Sequence, residues 1–590
     1  MLASLILCAV LRLRERNLDT QIAPDIQPQM KDWRAWELYP LAGLAAFILL
    51  WDLYALDVLP TRIWETLHYR AVTVGLWMQG APLRGFEASS WASFSYPANA
   101  ELLQLWWCIH THSDRWIELP QWLSALALAD IVGLLAKDAG APTPACIWAA
   151  ALSLLIAVIG IQAATEQDDL VTGAAFAAGL VLTRRWLVKH DDSFPMSKFD
   201  VAMTAGAAMG LALGAKVTLI PLLVPVLLWM FIALWKGQRC WKETAAFAVP
   251  FVAIGFYFYA DNYFRLGNPL YPFPVRLFGF ELFQSDPARH VPEMVPGTVN
   301  LANHLRQAPL EWFDAHADVP AYSEATGFGP LWSALILPAL GFQAFLQRRT
   351  WRALPNGNEQ SGATVRSLWC LGLVVGAGQI LLWSTTSWTR YDLRYMLHMP
   401  ALATVAAAVC WWKCPWPWRA LPSGMAIVLG ALTCANVAGN NWNTPILKIA
   451  ALHSLPFEER TYARLNTMPE ALLFATLDAG DVYPEAGSVA LLSESAGLKS
   501  PAFGVNFQRT VWLPDAPRMT PEGASGRWKR EADARKIDAV LLIDCSQPFD
   551  ACGYAEARCD LADPARWKKV YSKEIDGRRL TAYRKIMETH

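Results

Sequence analysis

Apolar stretches long enough to cross a bilayer dominate this chain. A membrane helix needs roughly 20 mostly apolar residues, since no water is present there to bond the backbone. Such stretches run near 38–60, 120–136, 146–164, 168–188, 217–235, 244–262, 328–347, 367–388, 395–412 and 421–438, and a shorter one, about 200–214, leads into Lys216. The opening MLASLILCAV is too short to span alone, and its basic residues follow the apolar run instead of preceding it. It therefore reads as the end of a first helix, not as a signal peptide. Eleven full spans plus a partial one are expected.

Composition divides the chain. Of its 101 charged residues, 40 fall within 441–590, about 27% of those positions, against about 14% over 1–440. An ordinary soluble protein carries roughly 25%. We expect a membrane body over 1–439 and a soluble domain over 440–590. The net charge of −1 offers no bulk attraction to nucleic acid. The 29 tryptophans suit a protein with two bilayer interfaces. The eleven cysteines show no zinc spacing. Cys545, Cys552 and Cys559 sit together in the tail, where an extracytoplasmic setting allows one disulfide and leaves one thiol.

Basic residues orient the body. Arg12, Arg14 and Arg16, then Arg184, Arg185 and Lys189, then Lys236, Arg239 and Lys242, then Arg348, Arg349 and Arg352, and finally Lys413 and Arg419 mark loops on the cytoplasmic side. This places 61–119, the turn at 165–169, Lys216, 263–327, 389–394 and the tail on the outer face. Two outer loops are long, and long loops in compact proteins are usually functional. The first has helical apolar spacing at Ile63, Leu67, Val74, Leu76 and Trp77, as expected of a helix on the membrane surface.

A few polar residues need a reason. Glu166, Asp168 and Asp169 put three acids in four positions at the lip of two spans. One Asp suffices to cap a helix. Three repel one another unless a cation or a basic substrate group neutralises them. Lys216 is either a snorkelling interfacial lysine or a phosphate contact. Arg390 and Arg394 share a face if helical and would suit a lipid phosphate, or else anchor at headgroups beside Asp392. Glu65, His68 and Tyr69 read as the polar face of a solvated helix, unless Glu65 takes a proton from an acceptor hydroxyl. Asp57 is the rival carboxylate. Nucleotide-cradling loops, HExxH and GxSxG are all missing from their proper contexts.

In order, these residues resemble the GT-C superfamily of polytopic glycosyltransferases, in the bacterial branch similar to protein O-mannosyltransferases and aminoarabinose transferases (family 39-like). The family's W-D-x-L-x-Y-H-like stretch is similar to Trp64-Glu65-Thr66-Leu67-His68-Tyr69-Arg70. Its S-Y-P-x-x-x-E-L-L-x-L-W resembles Ser95 to Trp106, and its S-x-R-x-x-x-L-x-Q-W resembles Ser113 to Trp122. Its Q-N-D turn is similar to Gln167-Asp168-Asp169. The hairpin G-L-A-x-G-x-K-x-T matches Gly210 to Thr218, G-N-P-x-Y-P-F matches Gly267 to Phe273, and R-Y-x-L-P resembles Arg394 to Pro400. The likeness covers roughly 40–440. Two departures stand out: the family Asp is Glu65 here, and the His after Tyr is Arg70.

The resemblance implies an α-helical polytopic membrane protein of about 11–12 spans, GT-C-like, with a small extracytoplasmic α/β domain. It implies a sugar on polyprenyl monophosphate as donor, a glycan, lipid or protein acceptor, and inversion. Glu65 would be the base, with His68 and Tyr69 beside the substrate. Asp168 and Asp169 would position the acceptor or hold Mg²⁺ or Mn²⁺, and Lys216, Arg390 and Arg394 would bind the phosphate. A bacterial inner membrane is the implied setting. A transporter or lipid flippase would instead show internal repeats and mid-membrane charges, and a non-catalytic envelope scaffold would need no carboxylate at 65. In the tail, 488–493 and 538–544 read as buried strands, 579–584 as a closing strand and 526–536 as a helix.

Overall fold

The computed structural model describes residues 34–59, 65–84, 95–187, 196–236, 241–277, 280–284, 301–312, 327–343, 359–385, 390–414, 418–440, 446–456, 460, 487–493, 503, 509–513, 527–544, 560–575 and 578–586. The first ten residues and Cys545, Cys552 and Cys559 lie outside these ranges. The chain forms two compact units. One takes the described residues of 1–55, 97–100 and 118–447, the other those of 56–96, 101–117 and 448–590. The second unit thus draws on the segment between the first two predicted spans as well as the tail.

Each of the eleven predicted stretches is mainly helical over its described residues. In chain order they are α1 (Ala35–Val58), α2 (Leu119–Asp138), α3 (Thr143–Leu154) with α4 (Ala157–Ala163), α5 (Asp169–Leu187), α6 (Lys198–Leu213), α7 (Leu219–Trp235), α8 (Trp241–Gly255) with α9 (Tyr257–Leu266), α10 (Trp332–Gln343), α11 (Glu359–Thr385), α12 (His398–Lys413) and α13 (Ala420–Ala435). Among the described residues, α1, α2, the Leu368–Thr385 part of α11 and the Ala420–Ala438 segment are long and apolar enough to cross a membrane. The pairs α3–α4 and α8–α9 do so only if each bent pair counts as one span, with bends of 71° and 53°. At the first bend Ile156 takes an extended conformation, so the helical hydrogen-bond ladder stops and restarts. The molecule is an integral membrane protein whose spans are partly broken.

Burial distinguishes the helices. Nearly every residue of α5 is buried, including its polar ones, so it runs through the protein interior. α7 instead exposes Val224, Leu228, Phe231 and Trp235, the side-chain types that lipid solvates. At the ends of α2 and α5, Asp138 accepts from Arg184 at 2.7 Å and from Arg185 at 2.5 Å, so these arginines are built into the bundle. Arg419 likewise pairs with Glu37 at 3.1 Å and lies over the rings of Trp411 and Trp412.

A stripe of glycines brings α6 against α8. A Cβ on Gly206 would lie 2.0 Å from the Phe247 carbonyl oxygen, and one on Gly210 would lie 2.8 Å from that of Phe251. Small residues spaced by four let membrane helices approach backbone to backbone.

In the second unit the tail forms a five-stranded sheet of order β4-β3-β5-β7-β6, from β3 (Ser488–Ser493), β4 (Thr510–Trp512), β5 (Ala539–Asp544), β6 (Trp567–Ile575) and β7 (Arg578–Lys585). β3 pairs parallel with β4 and β5, and β7 pairs antiparallel with β5 and β6. The unbroken apolar runs of β3 and β5 occupy the sheet centre, as expected for strands buried on both faces. Helix Arg527–Ala534 buries Trp528 and Ala532 in the sheet core, with Trp528 stacked on Trp512 at 5.0 Å. β4 and β6 escape the sequence reading because β4 is three residues long and β6 (WKKVYSKEI) is largely polar. A hairpin, β1 (Val275–Leu277) with β2 (Phe280–Phe283), is likewise absent from that reading.

Candidate active site

The first cluster lies in the membrane body, on the turn between α4 and α5. Asp168 and Asp169 stand where α5 begins, and Gln121 Oε1 accepts the Val171 N–H at 2.9 Å, so a side chain of α2 caps this buried helix end. Opposite, α6 ends at Gly214 and the chain turns through Lys216 before α7. Three bonds fix that turn. The Asn99 N–H donates to the Gly214 carbonyl at 2.8 Å, Asn99 Nδ2 donates to the Ile254 carbonyl at 3.0 Å, and Tyr259 Oη donates to the Leu213 carbonyl at 3.0 Å. Gly214 is required here, because a Cβ would fall 2.1 Å from Asn99 Nδ2.

So placed, Lys216 Nζ donates to Asp168 Oδ1 at 2.7 Å and to Asp169 Oδ1. Arg394 enters from a 3₁₀ turn, Arg390–Met396, that leads into α12. Its Nε lies 3.7 Å from Asp169 Oδ2. Tyr395 completes the group, with Lys216 Nζ 4.3 Å and the Arg394 guanidinium 5.3 Å from its ring centroid. Two carboxylates and two cations are therefore buried together and balance in charge. Pairing of this kind offsets the large cost of removing ions from water.

The expectation of a metal on Asp168 and Asp169 meets a plain obstacle: the Lys216 ammonium lies where a cation shared by the two carboxylates would sit. Among the described residues no group of three His, Cys, Asp or Glu forms that could hold a metal. The residues present do not fit a divalent ion at this pair. Arg390 belongs to the same 3₁₀ turn, and its side chain lies outside the described residues.

The second cluster lies in the other unit. Glu65 opens a π-turn, Thr66–Arg70, that runs into helix Ala71–Met78. A helix stands where the apolar spacing put one, wound wider at its start, but residues 66–75 and Trp77 are buried, so the solvated polar face expected of Glu65, His68 and Tyr69 is not what forms. Tyr69 Oη donates to Glu65 Oε2 at 3.2 Å, and Arg70 Nη2 lies 3.6 Å from the same oxygen. Arg70 Nη1 also pairs with Glu101 at 2.5 Å, both side chains being buried. His68 is buried, and its ring meets that of Tyr69 edge-on at 6.5 Å. The Glu65 side chain keeps 21% exposure. Asp57, the rival carboxylate, accepts from Arg115 at 2.5 Å and from the Trp116 indole at 3.1 Å.

Glu101, Gln121, Asn99 and Tyr395 carry this geometry without having been singled out. Each stands inside a motif quoted above, so a signal was present. Asn99 bonds Ile254 155 residues on, Tyr395 meets Lys216 from still farther along the chain, and no spacing rule connects them.

No family model matches the chain, and no curated protein matches it in sequence. Solved structures do. ArnT from Cupriavidus metallidurans bound to undecaprenyl phosphate is similar over 92% of this chain and 97% of that one, at 13% identity and a TM-score of 0.51. Its apo structure gives the same values. An oligosaccharyltransferase from Archaeoglobus fulgidus, tethered to an acceptor peptide containing the NVT sequon, is similar over 85% of this chain and 69% of that one, at 12% identity and a TM-score of 0.40. The likeness to ArnT defines a fold class: a polytopic, GT-C-like helical membrane protein with a small C-terminal sheet.

Proposed function

We propose that this chain is a membrane glycosyltransferase that moves a sugar from a polyprenyl-monophosphate donor to an acceptor hydroxyl on the outer face of a bacterial inner membrane, with inversion. The observation that carries this reading is the convergence of Lys216 and Arg394, from separate turns, on one buried site in a fold that in ArnT accompanies bound undecaprenyl phosphate. Body and tail act as the membrane and extracytoplasmic parts.

In this reading Glu65 takes the proton of the acceptor hydroxyl as its oxygen bonds to the anomeric carbon, opposite the phosphate. Tyr69 and Arg70 orient the carboxylate, and Asp57 is spent on Arg115. The anomeric C–O bond breaks, and its electron pair leaves with the polyprenyl phosphate, which gains negative charge. Lys216 and Arg394, with Arg390 beside them in sequence, meet that charge, and fixed cations in a dry site stabilise it far better than water would. Asp168 and Asp169 hold both cations until the phosphate arrives and then face the acceptor.

The test is transfer of radiolabelled sugar from polyprenyl phosphate in reconstituted vesicles. Glu65→Gln keeps the shape, removes the base and should lower kcat by about 10²–10⁴-fold. A variant as active as wild type, or a wild type inert toward every polyprenyl donor, overturns the reading.

A further inference from the structure

We infer that the C-terminal tail holds the Glu65 turn in register, with Phe503 and Arg460 as positioning residues; this rests on Glu65 being the base proposed above. All the groups concerned belong to one compact unit. Helix Ala71–Met78 continues without interruption from the π-turn after Glu65, so a shift of the helix moves the carboxylate.

That helix carries a glycine at an interior position, where alanine would ordinarily be the better helix former. The reason lies in the tail. A Cβ on Gly75 would lie 2.8 Å from both Cδ1 and Cε1 of Phe503, whose ring is buried against the helix. One turn on, Gln79 Nε2 donates to the Arg509 carbonyl at 3.1 Å. The Arg509 N–H donates to the Phe503 carbonyl at 3.2 Å, just before β4 begins at Thr510. That bond ties the residue bearing the ring to the residue bearing the acceptor.

The other flank is held as well. Arg460 Nη1 reaches the carbonyls of Asp57 and Val58 at 3.4 and 3.3 Å, while its Nε donates to the Leu455 carbonyl at 2.8 Å and its Nη2 to that of His453 at 3.3 Å. Carbonyls at a helix C-terminus lack partners within the helix, and a guanidinium suits them in hydrogen bonding and in charge. Tail residues therefore grip the chain both before and after Glu65. Such a grip fixes where the carboxylate stands and makes no contact with the reacting atoms.

The test uses Gly75→Ala, Phe503→Leu and the two combined, in the full chain in phospholipid vesicles. Hydrogen exchange of peptides spanning 65–79 reads the turn directly, and kcat and KM for a polyprenyl-phosphate sugar read its use. Gly75→Ala should raise exchange over 65–74 and lower kcat by about tenfold, with KM changed less than about twofold, since displacing a reacting group by about 1 Å can cost 10²-fold. Adding Phe503→Leu makes room for the methyl and should return both readouts towards wild type. A helix merely lacking propensity would respond oppositely, gaining order from alanine. Unchanged exchange in Gly75→Ala, or a double variant as disturbed as the single, overturns the inference. If wild type transfers no sugar, the function proposed for Glu65 falls, and the exchange measurement by itself then decides whether the tail holds the turn.

Discussion

Arg70 shows how much one residue decides. Its guanidinium pairs with buried Glu101 at 2.5 Å and faces Glu65 at 3.6 Å. Breaking a buried pair strands the remaining charge at about 3–5 kcal/mol, whereas replacing both partners by apolar groups is often neutral. Arg70→Met should therefore lower the thermal midpoint of the purified protein sharply, and Arg70→Met with Glu101→Leu should restore most of it. Lys216 invites a related measurement. Lys216→Met leaves Asp168 and Asp169 with Arg394 alone, so the site becomes net negative. Binding of undecaprenyl phosphate in vesicles should weaken by at least about tenfold, the 1.4 kcal/mol that one charge-assisted hydrogen bond commonly supplies. Affinity equal to wild type would remove Lys216 from the phosphate site. At this scale the sequence is half legible. Asp168, Asp169, Lys216 and Arg394 stand out because charge is costly in apolar surroundings. Which of them pair does not, because their partners come from distant segments.

Elements explain how those residues are held. α6 approaches α8 along Gly206 and Gly210 and ends at Gly214, two residues before Lys216. Overpacking a tight contact costs roughly 1–3 kcal/mol. Gly206→Ala must push the Phe247 carbonyl away and should reduce thermal stability measurably, while Gly43→Ala and Gly372→Ala, with nothing within 4 Å of the new Cβ, should leave it unchanged or slightly raised. Equal midpoints for Gly206→Ala and Gly43→Ala would remove the close-packing account. Hydropathy located the apolar helices among the described residues, since a run of apolar side chains declares itself whatever it packs against. It placed neither the 71° bend after Leu154 nor the 53° bend after Gly255. Those depend on what fills the gap left by a broken hydrogen-bond ladder, and neighbouring helices supply that.

The whole molecule joins two materials with different stabilising forces. The body relies on close packing and buried ion pairs. The tail relies on a small sheet core with a charged rim, where Asp533 accepts from Lys585 at 2.9 Å and Arg566 at 2.8 Å. Burial pushes the Asp533 carboxyl up, but Lys585, Arg566 and Lys529 outweigh it and hold the group below its ordinary value of 3.8. A carboxylate with a depressed value in the folded state stabilises above about pH 3.9 and loses that contribution as pH falls through the folded value. Asp533→Asn should therefore increase hydrogen exchange in β5 and β7 modestly at pH 7, and the difference from wild type should shrink as pH falls below the ordinary value of 3.8. A constant difference across that range would show that the pairing does not depend on ionisation. The modest size follows from the exposure of Asp533, where solvent screens the pairs.

Taken by itself, the sequence determined that this is a helical membrane protein, where its apolar helices fall among the described residues, and that strands and a helix follow in the tail. Each of these follows from local periodicity and composition, which solvent reads directly. Only the tertiary structure decided that the Lys216 ammonium sits between Asp168 and Asp169 where a metal was expected, that Arg70 is claimed by Glu101, and that the Glu65 helix leans on Phe503 through Gly75. Those are choices among partners, set by which distant groups reach the same few cubic ångströms, and in a low-dielectric interior the nearest countercharge wins.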